Sequence, residues 1–481
     1  MLGGGLSGKF DPDSQTLRQA HFKRDFMNDW MDAEKRVERA HEFYESGRWE
    51  DALRELRAAL EINPNNGSWQ FNLALTLDAM ERFEEAIKAY RAALESNPED
   101  VEILNALGVD LTRVGKNKEA IEAFEAIQQL DPQYEPSYCN RIITYTEMGM
   151  HDDAELMFYL ARQIRENCPL CFYNLGNSYY ARGLGAGGDH GQYDKAIYCW
   201  NKTLTLDPKH LQANQRIGEA YWAKGELAKA KQFYLAELRL SPGDIDVLMD
   251  LGNLLMDAGE LERAEEKFCQ VLELEPDEPD AIHFLGEIEL QRGRLDAAVR
   301  KFKRVLRLEA NHPGTHYQLG MALLRLNRKA DAAKAFQKEW ELKPKDPVEV
   351  MDLGLAFLDA GQHQQAVDCF QFVLKTDPEN AVAHHNLGYA SLVAGNLEIG
   401  IEACRKALEI DPDYVLALTN LALAHSQRHE FSKTFTLLQR ARKLDPTDKS
   451  LKRLLLATRL RYCVYWVRRA VTDVFLRRRR D

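Results

Sequence analysis

The chain has 481 residues, of which 29% are charged and 45% hydrophobic, and it carries a formal net charge of −12. This length exceeds what one compact core holds, so it predicts several domains or an elongated repeat array, and the composition excludes disordered, collagen-like and low-complexity classes. No run of about 18 uncharged apolar residues occurs in the sequence, which excludes a helix that spans a bilayer.

Residues 1–32 are predicted to form an N-terminal segment, in which residues 14–31 make a polar capping helix. The segment contains no apolar run of the length that a secretory signal needs. Residues 3–9, GGGLSGK, imitate a phosphate-binding loop, but Phe10 replaces the Ser or Thr that would bind magnesium, so we do not interpret them as a nucleotide site. Eight cysteines are too few for a disulfide scaffold, and we therefore expect a reducing, cytoplasmic location.

From residue 33 onward the sequence repeats itself every 34 residues. Prolines keep this spacing in three groups: Pro64, Pro98 and Pro132; Pro208, Pro242 and Pro276; and Pro344, Pro378, Pro412 and Pro446. Alanines lie twelve residues before the proline position, at Ala52, Ala86, Ala120, Ala154, Ala196, Ala230, Ala264, Ala298, Ala332 and Ala366. Leu-Gly pairs share the register, with glycines at Gly108, Gly176, Gly252, Gly286, Gly320, Gly354 and Gly388.

This pattern resembles the tetratricopeptide repeat family, whose unit is a 34-residue helix–turn–helix. The resemblance implies an all-α fold, a right-handed α-solenoid superhelix of about twelve repeats with capping helices. The repeats are predicted at residues 33–66, 67–100, 101–134, 135–168, 169–210, 211–244, 245–278, 279–312, 313–346, 347–380, 381–414 and 415–448. The fifth has an eight-residue insert, and we expect its glycine-rich residues 183–191 to project as a mobile loop.

The recurring residue types account physically for the repeat. Two helices of roughly 14 residues are too short to be stable alone, so each repeat gains stability by stacking on its neighbours. Small residues at positions 8 and 20 let the two helices approach, and a large apolar residue at position 24 fills the space between them. Proline at position 32 ends the second helix, because it lacks an N–H donor.

The resemblance also indicates where a partner binds. In the family's superhelix the first helices line a concave groove, in which extended peptides or partner helices lie. Position 6 points into that groove, and in family members asparagines there form a ladder of amides that hydrogen-bond a peptide backbone. This chain has Asn72, Asn140, Asn174, Asn386 and Asn420 at position 6, with Asp250, Gln318 and Asp352 between them. Arg216 and Phe284 interrupt the ladder, and the alternative is that these amides only tie neighbouring helices together.

Acidic and aromatic residues accompany the amides on the same predicted face. Acid beside exposed aromatic surface suits a basic, partly apolar segment, whereas the alternative is a solvated acidic face. The predicted peptide-binding groove consists of Asn72, Asn140, Asn174, Asn177, Tyr180, Glu219, Trp222, Asp250, Asn253, Asp257, Gln318, Asp352, Asn386 and Asn420. Groove positions 2, 5, 6 and 9 carry no lysine in any repeat, which argues against the carboxylate clamp of chaperone-tail receptors.

The last residues, 449–481, carry a net charge of +9, so the preceding 448 residues carry −21. An acidic body repels phosphate, which excludes general nucleic-acid binding. The basic segment is predicted to be a capping helix and tail. Two other interpretations remain open: an amphipathic helix that contacts anionic membrane lipid, or an arginine tail at residues 477–480 that self-associates with the acidic groove of another copy.

The remaining motifs offer little chemistry. Cys168 and Cys171 have the CxxC spacing of half a zinc knuckle or a redox pair, but no second CxxC exists, and we interpret them as reduced structural thiols. His425 and His429 are four residues apart, a spacing that can chelate a metal, but His425 is at a core position and is predicted to be packed. No catalytic motif is found, so we expect no enzyme activity, no cofactor and no metal.

These observations favour a non-catalytic scaffold for protein–protein interaction that holds a peptide or partner helix in its groove. Repeat arrays of this kind also serve as the substrate-recognition part of enzymes such as O-linked glycosyltransferases. A substrate-recognition subunit of a separate enzyme is therefore an alternative. Peripheral attachment to a membrane through the basic C-terminal tail is another, and the partner itself is not identified by the sequence.

Overall fold

The computed structural model describes the backbone of residues 30–185 and 187–477, and the side chains within these ranges up to residue 468. In this part of the chain there are twenty-five α-helices and no strand. The fold is an all-α helical repeat solenoid, as predicted. Most of the predicted N-terminal capping helix, the glycine-rich residues 3–9 and the terminal residues 478–481 lie outside the described residues.

The chain divides into two compact units at residues 254 and 255. Unit 1 contains α1 (residues 30–45), α2 (Trp49–Ile62), α3 (Gly67–Ala79), α4 (Phe83–Ser96), α5 (Val101–Arg113), α6 (Asn117–Leu130), α7 (Glu135–Glu147), α8 (His151–Ile164), α9 (Pro169–Gly185), α10 (His190–Leu206), α11 (Ala213–Ala223), α12 (Leu227–Leu240) and most of α13 (Ile245–Asp257). Unit 2 continues with α14 (Leu261–Leu274), α15 (Pro279–Gln291), α16 (Leu295–Leu308), α17 (Thr315–Arg325), α18 (Lys329–Glu341), α19 (Pro347–Asp359), α20 (His363–Thr376), α21 (Ala381–Val393), α22 (Leu397–Ile410), α23 (Val415–Gln427), α24 (Phe431–Leu444) and α25 (Lys449–Arg477).

Odd-numbered helices up to α23 are the first helices of successive pairs, and even-numbered helices are the second. Polar side chains cap the N-termini of several first helices. The side chain of Asp100 accepts hydrogen bonds from the backbone N–H groups of Glu102 and Ile103, and the side chain of Asn380 accepts one from the backbone N–H of Ala383. A residue with positive φ follows the end of most first helices, which turns the chain into the second helix. It is glycine at residues 47, 115, 149, 225, 259, 293, 361 and 395, but Glu81, Asn327 and His429 fill the equivalent places.

In six of the described pairs a glycine of the first helix meets a ring of the second: Gly108, Gly176, Gly218, Gly286, Gly320 and Gly354. A Cβ atom added to Gly108 would lie 2.5 Å from Cε1 of Phe124, and one added to Gly286 would lie 2.7 Å from Cε1 of Phe302. Both rings are fully buried. A buried ring of this size stabilises the fold by about 1.5–3 kcal/mol. The recurring Leu-Gly pair is thus explained by close helix packing, as the sequence predicted.

The glycine-rich insert differs from the prediction of a mobile loop. Helices α9 and α10 each have 17 residues, whereas the pair α3 and α4 has 13 and 14. Most of the insert therefore lengthens the two helices. Gly183 is buried on α9, where an added Cβ would lie 2.7 Å from the Tyr193 ring of α10, and the side chain of Asp189 caps α10 by accepting from Gly191 N–H. These contacts make helix the more favourable state for the insert.

The last helix, α25, packs its beginning against the preceding pair. Leu451 and Leu455 are buried in a cluster with Leu418 of α23 and Leu438 of α24. Farther along, exposed apolar side chains lie at Leu456, Leu460, Val464 and Val467. Their spacing of three to four residues places them on one side of the helix. In the described part of the chain, no helix combines the length and apolar character needed to cross a bilayer.

Candidate functional site

The predicted groove residues lie on the first helices. We use "first-helix face" for the surface formed by positions 2, 5, 6, 9, 12 and 13 of the odd-numbered helices. Of the fourteen predicted residues, nine belong to unit 1 and five to unit 2. The unit 1 residues are Asn72, Asn140, Asn174, Asn177, Tyr180, Glu219, Trp222, Asp250 and Asn253. The unit 2 residues are Asp257, Gln318, Asp352, Asn386 and Asn420.

In several of the repeats, the side chain at position 6 of one first helix hydrogen-bonds the side chain at position 5 of the preceding first helix. Asn140 Nδ2 donates to Asn105 Oδ1 at 2.9 Å, and Asp250 Oδ2 accepts from Gln215 Nε2 at 2.8 Å. In unit 2, Asn420 Nδ2 is 3.2 Å from His385 Nδ1. Because these partners are 35 residues apart, each bond joins two consecutive helix pairs. The amides therefore act at least as ties between neighbouring helices, which was the alternative interpretation.

Burial separates the asparagines into two groups. Asn174 is 3% exposed and donates to the Cys139 carbonyl at 3.2 Å, and Asn420 is 7% exposed. These two are packed between helices and present little surface to a partner, and their contact with a peptide stays a prediction. Asn72, Asn140 and Asn386 are only half-buried. For those three, contact with a peptide stays a prediction.

The other predicted positions range from half-buried to exposed. Asn177 Oδ1 accepts from Trp200 Nε1 at 3.2 Å, so this amide holds a core ring in place. Asn253 Oδ1 is buried without a hydrogen-bond partner among the described residues. Trp222 is half-buried and Asp257 is exposed.

In unit 1 an acidic cluster surrounds one arginine on the first-helix face. Arg216 Nη1 is 2.9 Å from Glu219 Oε2 on the next turn of α11, and the charge of Arg216 also acts on Asp250 of α13. Burial raises the pKa of Glu219 and of Asp250, although the guanidinium opposes both shifts. Burial, and then the charge of Glu219, raises the pKa of Tyr180 to about 12. Two carboxylates facing one guanidinium leave this cluster with excess negative charge.

Unit 2 has a cavity on the first-helix face that was not predicted from the sequence. It has a volume of about 580 Å³ and is formed by α15, α17 and α19, the end of α18 and the links between pairs. The carboxylates that line it are Glu287, Glu339, Glu349 and Asp352, and no lysine or arginine is among its described lining residues. The apolar part of the lining consists of Pro313, Tyr317, Leu342, Pro344 and Leu353.

Two predicted residues, Gln318 and Asp352, lie in this cavity. Gln318 Nε2 donates to Glu287 Oε1 at 2.7 Å, and the same carboxylate oxygen is 3.2 Å from His283 Nε2. Burial, and then the charge of Asp352, raises the pKa of Tyr317. Glu287 could be recognised from the sequence as a residue of the first-helix face, because it is at position 9 of its repeat. Glu339 could not, because it lies on a second helix and reaches the cavity by accepting from the backbone N–H of Gly314 and Tyr317.

The cysteine and histidine predictions have different outcomes. Cys171 forms a disulfide with Cys139, so the interpretation of both CxxC cysteines as reduced thiols is wrong for Cys171 in this structure. Cys168 is a free, buried thiol beside them. His425 is 4% exposed and contacts Glu430, and burial lowers its pKa, which confirms the prediction of a packed histidine.

Comparison with known proteins identifies the repeat. A sequence model described as "Tetratricopeptide repeat" matches residues 71–135, 188–245, 249–314, 285–347 and 351–415, and a model described as "TPR repeat" matches residues 40–80. No curated protein sequence matches the chain.

Solved structures with a similar arrangement have low sequence identity. Yeast Tom70 is 14% identical with a TM-score of 0.37, covering 91% of this chain and 96% of that chain. A tetratricopeptide repeat protein from Parabacteroides merdae is 16% identical with a TM-score of 0.42, covering 61% of this chain and 99% of that chain. The sequence models together match more than half of the residues. The chain therefore belongs to the tetratricopeptide repeat family.

Proposed function

We propose that the protein is a non-catalytic scaffold that binds basic, partly apolar polypeptide segments on its first-helix faces. The observation that carries this proposal is the acidic cavity of unit 2. Its carboxylates come from three consecutive pairs, and proline, leucine and tyrosine side chains lie between them. Arginine or lysine side chains of a peptide would pair with the carboxylates, while an intervening apolar residue would contact the Tyr317 ring.

Asp352 offers a sharp test because it is exposed and lies in the cavity. The probe is a pool of labelled peptides that carry arginine and leucine, and a second pool has glutamate in place of arginine. We expect the arginine pool to bind the full chain and Asp352→Lys to weaken that binding about tenfold, because it places a positive charge beside the peptide's own. Fluorescence anisotropy measures the change.

Asp368→Lys is the matched control. Asp368 is exposed on α20, the second helix of the same pair, and the charge change is the same. Equal binding by the two variants would contradict the proposal, since it would show that only net charge matters. Equal binding of the two peptide pools would contradict the proposed preference for basic segments.

Helix α25 favours a second candidate function, peripheral attachment to an anionic membrane. Its exposed apolar stripe of Leu456, Leu460, Val464 and Val467 is accompanied by basic residues on the same helix. An amphipathic helix of this composition buries its apolar side at the lipid interface. The test is co-sedimentation with vesicles containing phosphatidylserine. Binding that Leu460→Asp abolishes would support it, and no binding by the native chain would eliminate it.

A further inference from the structure

Three cysteines and one glutamate meet where α7 approaches the beginning of α9. Glu135 and Cys139 lie one turn apart on α7, while Cys168 precedes α9 and Cys171 lies in its first turn. Three sulphur atoms and one carboxylate oxygen, one from each residue, all lie within 4.8 Å of one another. The three cysteines are buried, with exposures of 1%, 5% and 2% in chain order, and Glu135 is half-buried.

One sulphur–sulphur distance matches a tetrahedral metal site, whereas the bonded sulphur atoms of Cys139 and Cys171 must separate on reduction to reach it. In such a site, Zn–S bonds of about 2.3 Å place two sulphur ligands about 3.8 Å apart. Cys139 Sγ and Cys168 Sγ are 3.8 Å apart. Glu135 Oε1 is 3.1 Å from Cys139 Sγ and 3.1 Å from Cys171 Sγ, which brings a carboxylate oxygen within reach of a metal held by the sulphur atoms. Sulphur and carboxylate oxygen are both ligands that zinc accepts in proteins.

The chemistry of the four groups also favours a cation. A divalent metal would bind the thiolates directly and offset the negative charge that the sulphur atoms and the carboxylate bring together. The positive end of the α9 helix dipole also favours negative charge at Cys168 and Cys171.

We propose that in the reduced protein Glu135, Cys139, Cys168 and Cys171 bind one Zn²⁺ ion. Four protein ligands leave no open position, so the site is structural: it fastens α7 to the lengthened helix α9. The Cys139–Cys171 disulfide and the metal exclude each other, because zinc binds thiolates. A phosphine reductant converts the disulfide into two thiols with two protons from water and becomes the phosphine oxide, and zinc then displaces the three thiol protons.

The experiment uses the full chain, reduced with a phosphine and kept under an inert atmosphere. Cobalt(II) is added first, because thiolate-to-cobalt charge-transfer absorption reports sulphur ligands, and zinc is then added to displace it. Elemental analysis after dialysis gives the zinc bound per chain. We expect one zinc per chain, thiolate-to-cobalt absorption that zinc abolishes, and an increase in the thermal midpoint on zinc binding.

Variants separate this site from adventitious binding. Cys168→Ser leaves the disulfide pair intact and should weaken zinc binding by more than about tenfold, because it removes a thiolate ligand. Glu135→Gln should weaken zinc binding by a smaller factor: an amide is a poorer ligand than a carboxylate, but its oxygen can still contact the metal. Cys199→Ser is the matched control, since Cys199 is a free, buried cysteine of the same unit outside the cluster. It should bind zinc as the native chain does.

Two results would overturn the proposal. The first is a reduced native chain with unchanged helical circular dichroism that retains no zinc after dialysis. The second is equal zinc affinity in the Cys168→Ser and Cys199→Ser variants. Circular dichroism of each variant checks that a loss of zinc does not come from unfolding.

Discussion

At the residue scale, Glu81 occupies a turn position where most other pairs have glycine. Its φ is +59°, a conformation that costs a side-chain-bearing residue roughly 1 kcal/mol. Glu81→Gly should therefore raise the free energy of unfolding by about 1 kcal/mol. Glu84→Gly, three residues later inside α4, should lower it by a similar amount because glycine disfavours helix. Thermal or urea unfolding measures both, and a stabilising Glu84→Gly or a destabilising Glu81→Gly would contradict this account.

A buried carboxylate gives unit 1 a pH dependence. Asp110 is 1% exposed, and burial, followed by the charge of Asp78, raises its pKa to about 7, although Arg113 opposes the shift. Because this pKa is higher in the folded than in the unfolded chain, the folded state binds more protons between about pH 4 and pH 7. The contribution of Asp110 to stability is thus fully present below about pH 4 and is lost as the pH rises to 7.

Asp110→Asn removes this titration. The neutral amide keeps a polar group beside Arg113, whose Nη1 is 3.2 Å from Asp110 Oδ1. We expect the variant to be more stable than the native chain at pH 8, by roughly 1–3 kcal/mol, with a smaller difference at pH 4. Urea unfolding at the two pH values measures it. A variant that is less stable at pH 8 would show that the ion pair with Arg113 outweighs the burial of the charge.

At the scale of the element, α25 is expected to stabilise the end of unit 2. Its first turns cover the apolar side of the α23/α24 pair through Leu451 and Leu455. A repeat array needs such a cover, because its terminal pair otherwise exposes the side that would pack on a further repeat. The contact continues along the helix, because the rings of Tyr462 and Tyr465 lie 5.3 and 5.6 Å from the Phe431 ring of α24, although Tyr462 remains 40% exposed.

Neighbouring leucines of α25 provide a direct comparison. Leu455→Ala should destabilise unit 2 by about 2–4 kcal/mol, because Leu455 is 8% exposed. Leu456→Ala should change stability by less than about 0.5 kcal/mol, because Leu456 is 60% exposed. Hydrogen exchange of α23 and α24 locates the effect. Equal exchange rates in the two variants would mean that α25 does not cap the array.

At the scale of the whole molecule, charge is distributed unevenly. Residues 1–448 carry −21 and residues 449–481 carry +9. Because the proposed ligand is basic, its attraction to the acidic body should be screened by salt. We expect raising the salt concentration from about 0.05 M to about 0.5 M to weaken binding of the arginine peptide pool several-fold. Anisotropy titrations across this range measure it, and a salt-independent affinity would indicate that apolar contacts alone hold the peptide.

The sequence by itself determined the repeat and its helices. Features such as the Gly108–Phe124 contact recur because each pair solves the same packing problem with residues only 16 positions apart. Short-range patterns of this kind are visible in one sequence. The acidic character of the first-helix face was also predictable, because a helix fixes which positions share a side.

Tertiary structure alone decided which residues are available for function. Asn174 and Asn420 occupy predicted groove positions, yet packing between consecutive pairs buries them. Most of the insert lengthens α9 and α10, where Gly183 meets the Tyr193 ring, and Glu339 reaches the cavity from a second helix. Glu135 and Cys139 lie about 30 residues before Cys168 and Cys171, and only the approach of α7 to α9 makes them one cluster. Each of these outcomes depends on distances between helices, which a one-dimensional pattern does not contain.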